Sequence, residues 1–230
     1  MSSVQFSVVV PVYNEEESLP VLFGQIDNVL KILGRFEIIL VDDCSSDQSP
    51  FILKTLEKNH PGIIRVITLK ERSGQTKAMR LGLDAVNGDV AITMDADLQN
   101  DPADIPKMIA KMKEGYDCVC GWRLSRQDRW LKARLSKFGN VMQRLVTGLA
   151  IHDVSCTLRV IKRECIPHIA LNREGQHRFI PLSLSLQGYK IGEIVSNHRL
   201  RVYGQTKYNH KRIFKVVVDF FKMLTTRGKR

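Results

Sequence analysis

From residue 7 to residue 121, short apolar β-branched runs alternate with longer segments of helical period. Ser7–Val12 reads as a strand, and Glu16–Leu33 as a helix that ends near Gly34. Phe36–Val41 is a second strand. Ser49-Pro50 then reads as an N-cap followed by proline at the first helical position, opening a helix to about Asn59. Ile63–Leu69 is a third strand and Gln75–Val86 a third helix, closed by Asn87-Gly88. Asp89–Met94 is a fourth strand. Asp101-Pro102 repeats the cap-plus-proline signal and starts a helix to about Gly115, before a fifth strand at Tyr116–Gly121. Strands and helices alternating at this spacing predict an α/β fold, a mostly parallel twisted sheet with helices on both faces.

Beyond Gly121 the rhythm changes. A basic loop at Trp122–Trp130 precedes a helix of about Leu131–Leu149. A short strand follows near Ser155–Ile161, a helix near Arg178–Gln187 and a strand near Lys190–Ser196. The polar loop Asn197–Tyr208 leads into a last helix from about Lys211. With no internal repeat or low-complexity tract, residues 1–208 read as one domain, with 1–121 and 122–208 as its two halves and 209–230 as an amphipathic appendage.

Where the strands end decides the chemistry. Ligands of open α/β sheets bind beyond the carboxyl ends of the strands. Here the first strand ends in PVYNE, the second in Asp42-Asp43 and the fourth in Asp95-Ala96-Asp97. Neither GxGxxG nor GxxxxGK[ST] occurs, so no glycine-rich loop cradles a phosphate. An acidic rim repels phosphates unless a divalent cation bridges them, and an all-oxygen ligand set selects Mg²⁺ or Mn²⁺ over Zn²⁺. Asp95 and Asp97 are expected on one side of an extended chain, holding a metal that in turn holds a diphosphate.

Charge sharpens this picture. The net charge of +11 is unevenly distributed: residues 1–115 hold 12 Lys+Arg against 17 Asp+Glu, and the remaining residues hold 23 against 7. The second half is therefore expected to meet an anion, whether phosphate, membrane surface or nucleic acid. The five cysteines form no metal or disulfide framework, and an odd count without a signal peptide reads as a reducing, cytosolic compartment. Cys118 and Cys120 are expected on opposite faces of their strand. No apolar stretch reaches the roughly 20 residues that a membrane-spanning helix needs.

The series PVYNE (11–15), VDDCSSD (41–47), SGQTKA (73–78) and DADLQ (95–99) resembles the family 2 glycosyltransferases of GT-A fold. GWRLSRQDRWLKARLSK (121–137), DVSCTLRVIKR (153–163), HRFIPLSL (177–184) and YGQTKY (203–208) resemble its polyprenyl-phosphate group. That group includes dolichol-phosphate mannose synthases and the bacterial undecaprenyl-phosphate glucosyl and aminoarabinosyl transferases, the last being most similar through RQD, TLR and FIP. The resemblance implies that Pro11, Tyr13, Glu15 and Asp42 line the base and ribose pocket, and that Asp95, Asp97 and Gln99 bind metal and diphosphate. It implies that Arg123, Arg134, Ser136 and Lys137 receive the acceptor phosphate, and that Arg201 and Lys207 come from a loop closing over the diphosphate. Lys77 joins the diphosphate candidates on charge alone. Asp153 matches an aspartate sometimes assigned as catalytic; orienting Arg123, Arg134 or the sugar is an equally good reading. Two departures stand out: Cys44 where relatives usually carry glycine, expected to alter packing, and Glu71-Arg72-Ser73 in place of an asparagine-containing stretch, expected to bear on base selection.

The implied reaction is metal-dependent, inverting transfer of a sugar from a nucleotide diphosphate sugar, UDP favoured over GDP, to a polyprenyl phosphate. An acceptor phosphate is already anionic at neutral pH, its titrations lying near ~1 and ~6, so the site needs no strong general base. Residues 213–224, IFKVVVDFFKML, place Ile213, Phe214, Val217, Phe220, Phe221 and Leu224 on one helical face, with Lys211, Lys215, Asp219 and Lys222 opposite. Such a helix suits the interface of an anionic bilayer, and the expected location is peripheral, on the cytoplasmic face of a membrane. The relatives continue into two membrane-spanning helices where this sequence reads TTRGKR; a longer protein or a membrane-anchoring subunit would each supply that anchor. Two competing readings are a GT-A transferase acting on a polysaccharide or protein hydroxyl and a basic nucleic-acid-binding domain. The latter finds basic and aromatic residues interleaved at Trp122–Trp130 but no binding motif and no use for the acids, so no nucleic-acid partner is expected.

Overall fold

The computed structural model of the chain describes residues 4–124 and 151–201. Among the described residues seven strands form one sheet: β1 (Phe6–Val12), β2 (Phe36–Asp42), β3 (Ile64–Thr68), β4 (Val90–Thr93), β5 (Cys118–Trp122), β6 (Arg159–Lys162) and β7 (Ile191–Val195), in the order β3-β2-β1-β4-β6-β5-β7. β1 to β4 pair in parallel, as do β5 and β7. β6 runs antiparallel to both β4 and β5. The sheet is therefore parallel except for one inserted strand, which joins the two halves of the chain.

The period-2 patterning of the strands explains the layers. Val8, Val10 and Val12 of β1 and Ile38 and Leu40 of β2 face a core shared with α1 (Leu19–Leu33), α2 (Ser49–Asn59) and α4 (Ile105–Met112). Val9, Ile39 and Val41 face the other way, against α3 (Gln75–Asp84) and α5 (Ile180–Ser185). Gly82 lets α3 lie close to the sheet, because a Cβ there would stand 2.3 Å from Val9 Cγ1 and 3.2 Å from Val41 Cγ2.

Several boundaries differ from the sequence reading for identifiable reasons. The first helix begins at Leu19, since residues 14–18 form a turn bonded to the loop after β2. Ser49 lies inside α2 and does not cap it; Asp47 Oδ1 accepts the Ser49 N–H (2.9 Å), while Ser49 Oγ accepts the Glu15 N–H (2.9 Å). Asp101 does cap, through the Ala103 N–H (3.0 Å), but the first turn is a 3₁₀ segment, Pro102–Asp104, ahead of α4. The strand expected from Ser155 starts at Arg159, because side chains from 153 to 157 bond into the site. The late helix is α5, preceded by a 3₁₀ turn at Gln176–Phe179.

Cys118 and Cys120 share a face, contrary to expectation: residues two apart in a strand point the same way, and their Sγ atoms are 4.0 Å apart in one core cluster. All five cysteines are free thiols, only Cys44 being exposed. Burial pushes the Cys156 thiol up to about 11 and the Cys165 thiol up to about 12, so neither is a thiolate at neutral pH. Among the described residues no helix is long and apolar enough to cross a membrane. The expected helices at 131–149 and from 211 lie outside the described residues, as does the amphipathic segment 209–230.

Candidate active site

β1, β2 and β4 are neighbours and parallel, so their carboxyl ends open onto one edge of the sheet. The loops that follow are cross-linked. Asn14 Oδ1 accepts the Ser46 N–H (2.8 Å), Ser45 Oγ accepts the Asn14 N–H (2.9 Å), and Glu16 Oε2 accepts the Gln48 N–H (2.7 Å). The described non-glycine residues with positive φ are Asn14 (51°), Cys44 (59°) and Leu98 (62°), one after each of these three strands. Such residues cost on the order of 1–3 kcal/mol each and collect where a loop geometry matters more than its strain. Cys44, expected from the resemblance to replace a glycine, sits at a left-handed position, so any consequence falls on the backbone as well as on packing.

Asp42, the last residue of β2, is buried and its Oδ1 accepts the Ser45 N–H (3.1 Å). Asp43 instead holds the loop before α3, accepting the Ser73 N–H (2.7 Å) and the Gly74 N–H (2.9 Å). In that loop the Arg72 guanidinium lies over the Tyr13 ring, 4.0 Å from its centroid. This cation–π contact ties the unusual Glu71-Arg72-Ser73 stretch to the end of β1.

After Thr93 the chain leaves the strand and bends through Ala96–Leu98, so Asp95 and Asp97 do not lie on one extended segment. Asp95 is clamped on both oxygens: Gln75 Nε2 donates to Oδ1 (2.7 Å) and Thr157 Oγ1 to Oδ2 (2.7 Å), with Asn100 Nδ2 donating to that hydroxyl (2.9 Å). Asp97 Oδ1 accepts the Gln99 N–H (3.2 Å), and its Oδ2 lies 3.7 Å from Arg201 Nη2. The same Nη2 reaches Glu15 Oε1 at 3.1 Å. Burial, then the Asp97 charge, pushes Asp95 up to about 6; burial also raises Asp97 against the pull of the Gln99 N–H and Arg201. Burial and the proximity of the two carboxylates thus disfavour a pair of bare negative charges here, and a bound cation would relieve both.

Among the described residues no three or more His, Cys, Asp or Glu side chains are arranged to hold a metal ion. Two carboxylates that leave the remaining positions to phosphate and water fit Mg²⁺ or Mn²⁺, which are commonly held that way. Asp97 is the better placed ligand, since both Asp95 oxygens already accept hydrogen bonds.

The basic side of the same edge is built on β5. Arg123, next after that strand, pairs with Asp153 through two bonds, Nε to Oδ2 (2.6 Å) and Nη2 to Oδ1 (3.0 Å), and Nη2 also donates to Ser155 Oγ (2.9 Å). Its Nη1 makes no hydrogen bond among the described residues. Burial works against the Arg123 charge, but Asp153 more than offsets this and holds the guanidinium ionised. Arg123 and Asp95 are close enough to bias each other's charge. The two sites therefore adjoin.

Residues 7–169 match the model of a family described as glycosyl transferase family 2. The chain belongs to this family. It is 39% identical over 221 residues to the undecaprenyl-phosphate 4-deoxy-4-formamido-L-arabinose transferase of Enterobacter sp. (strain 638), spanning 96% of this chain and 67% of that protein. Its fold is similar to glucosyl-3-phosphoglycerate synthase from Mycobacterium tuberculosis, solved with Mn²⁺ and UDP-glucose (TM-score 0.70, 16% identity, 97% of this chain and 79% of that one). The mannosyltransferase PcManGT from Pyrobaculum calidifontis, solved with GDP-Man and Mn²⁺, is another neighbour (TM-score 0.68, 19% identity, 100% of this chain and 66% of that one). The GT-A arrangement expected from the motifs is the one seen.

Within this family 2 fold, Pro11, Tyr13, Glu15, Asp42, Asp95, Asp97, Gln99 and Arg201 gather at the edge formed by β1, β2 and β4, and Arg123 and Asp153 stand beside them. Lys77 is exposed on α3 and makes no hydrogen bond or ion pair among the described residues. Arg134, Ser136, Lys137 and Lys207 lie outside the described residues. Sequence reasoning missed Gln75 and Thr157, which grip Asp95, and His198, whose Nε2 is 3.5 Å from Gln99 Nε2. Gln75 sits in the quoted SGQTKA motif and Thr157 in TLR, so a signal was present; nothing in the local pattern pointed to His198.

Proposed function

We propose that this family 2 chain transfers a sugar, with inversion, from a nucleotide diphosphate sugar (UDP favoured) to a polyprenyl phosphate such as undecaprenyl phosphate. The observation that carries the reading is an acidic pair, Asp95 and Asp97, set beside an arginine whose Nη1 makes no hydrogen bond among the described residues, in a chain 39% identical to a transferase named for undecaprenyl phosphate. A donor diphosphate and an acceptor phosphate repel each other, and this division of charge relieves that repulsion.

In this reading Pro11, Tyr13, Glu15 and Asp42 bind the base and ribose, with Arg72 across the Tyr13 ring. Asp97, helped by Asp95 and Gln99, would hold Mg²⁺ or Mn²⁺. Such an ion supplies positive charge for the departing diphosphate. Arg201 is placed by Glu15 and Asp97 to turn toward the same phosphates once a donor is bound. Arg123 Nη1 donates to the acceptor phosphate, joined by Arg134, Ser136 and Lys137. One bond forms, from an acceptor phosphate oxygen to the anomeric carbon. One breaks, from that carbon to the β-phosphate oxygen, and the nucleoside diphosphate leaves with the electron pair. No proton has to be removed, so Asp153 serves as the buttress of Arg123 and not as a base. The lipid is drawn from a membrane surface on which the segment 209–230 lies.

The test is a transfer assay with undecaprenyl phosphate in detergent micelles, labelled UDP- and GDP-sugars, and Mn²⁺, Mg²⁺ or EDTA. A labelled, organic-extractable product that is lost in EDTA is expected. Donor turnover onto a hydroxyl acceptor with no lipid product would overturn the proposal.

A further inference from the structure

Arg123 owes its pose to Asp153, and Asp153 owes its own to something else. Residues 151–158 form a loop without regular structure ahead of β6; its later part is tied down by Gly121 N–H to Leu158 O (3.0 Å), Thr93 Oγ1 to Thr157 O (2.7 Å) and Arg159 Nη2 to Val154 O (3.0 Å). Among the described residues, the backbone at 152 and 153 is held by Glu193, in the middle of β7 on the far side of β5. Its Oε1 accepts the N–H groups of His152 (2.9 Å) and Asp153 (2.9 Å), and its Oε2 lies 2.8 Å from His152 Nδ1. The Glu193 side chain is nearly buried, at 9% exposure. A carboxylate gathering two consecutive backbone donors and a ring nitrogen sets the direction in which residue 153 leaves the loop. The His152 ring then stacks on Trp122, centroids 4.1 Å apart and planes 14° apart, so the loop is joined to β5 one residue before Arg123. The ion pair and the Ser155 bond complete the connection on the other side.

We propose that Glu193 is a positioning residue for the acceptor end of the site: it fixes the His152-Asp153 backbone, through it the Asp153 carboxylate, and through that the free edge of Arg123 that receives the lipid phosphate. The inference rests on the functional reading above, in which Arg123 meets the acceptor. Glu193 touches neither substrate. Partners that act one step behind a binding group are worth about 10–100-fold when removed. The loss should fall chiefly on the acceptor, because Asp97 and Glu15 are held by residues outside this loop, and Thr157, which grips Asp95, is anchored separately at the loop's β6 end, where Thr93 Oγ1 donates to its carbonyl (2.7 Å).

The experiment uses the full chain and the variants Glu193→Ala and Glu193→Gln. KM for undecaprenyl phosphate and Kd for UDP-sugar with Mn²⁺ are measured together, with amide hydrogen exchange at residues 152 and 153. Glu193→Ala is expected to raise the acceptor KM about tenfold or more, to leave the donor Kd within about twofold, and to speed exchange at those two amides. Glu193→Gln, which keeps one acceptor oxygen, should fall between it and the wild type. Adding Glu193→Ala to Asp153→Asn should cost little beyond Asp153→Asn alone, since both act on one chain of contacts. An unchanged acceptor KM, or acceptor KM and donor Kd worsening in step, overturns the inference. If Glu193→Ala does not fold, Glu193→Gln is judged by the same two constants. A wild-type chain that handles no lipid phosphate overturns the functional reading itself, and the inference falls with it.

Discussion

The two ends of the β1–β2–β4 sheet treat buried charge in opposite ways. At the amino end Glu37 is fully engaged: it accepts the Ser7 hydroxyl (2.6 Å), the Asn87 N–H (2.8 Å) and Asn87 Nδ2 (3.1 Å), with Arg65 Nη2 at 3.7 Å. Ser7 Oγ in turn accepts the Gly88 N–H (2.8 Å), so the turn before β4 is tied to the starts of β1 and β2. At the carboxyl end Asp97 accepts the Gln99 N–H and, among the described residues, has a guanidinium 3.7 Å away, and burial holds its proton affinity above the ordinary value. One end is a closed network that holds strands together. The other keeps two carboxylates under burial with fewer donors among the described residues, an arrangement that suits the proposed site for a cation and a diphosphate.

This contrast can be broken by exchanging the consequences of two substitutions. Asp97→Asn should lower sugar transfer by more than about 100-fold, beyond the loss typical of a residue that only supports a metal ligand, while the denaturant midpoint stays put or rises. Steady-state rates and urea unfolding on the same preparation decide it. Glu37→Ala should do the reverse. It leaves the buried Ser7 hydroxyl without its acceptor and frees the exposed Asn87 to water, at about 1–3 kcal/mol of stability, with the transfer rate of the folded protein unchanged. Equal loss of stability in both variants would erase the distinction between the two ends.

Smaller effects sharpen it. Gly82→Ala sets a methyl against Val9 and Val41, the strand residues just before the site, and should cost about 1–3 kcal/mol by urea titration. Asp101 tests the acid limb of stability. Burial would raise its pKa, but the Ala103 N–H, Arg199 and Asn197 together hold it below the ordinary value of 3.8. A carboxylate depressed on folding contributes stability that is present above its unfolded pKa and lost as pH falls through the folded one. Asp101→Asn should therefore lower the melting temperature at neutral pH, where that contribution is present, and flatten its decline below about pH 4, so that variant and wild type converge in acid. An unaltered acid decline would contradict this.

Much of this was legible in advance because it is periodic or punctuated. The strands from Phe6 to Trp122 and the helices between them follow from apolar period and from Asp-Pro and Asn-Gly signals, and the acidic strand ends stand out once the strands are in place. What was not legible depends on partners remote in sequence. Ser49 has the look of a cap, but Gln48 holds that position, Asp47 accepts the Ser49 N–H and the Glu15 N–H claims the Ser49 hydroxyl. The reversed direction of β6 follows from chain routing, which no local pattern records. Asp95 depends on Gln75 and Thr157, 20 and 62 residues away, and Asp153 on Glu193, 40 residues away. Motifs named the charged residues; the neutral and secondary groups that aim them came only with the structure.

The most direct test of the contrast between the two ends is UDP-sugar binding by isothermal titration calorimetry, with Mn²⁺ and with EDTA, for wild type, Asp97→Asn and Glu37→Ala. Binding that requires Mn²⁺, survives Glu37→Ala and is lost in Asp97→Asn is the expected result. Binding of equal strength in EDTA, or in Asp97→Asn with Mn²⁺ present, would contradict the assignment of that carboxyl edge to a metal-bridged diphosphate.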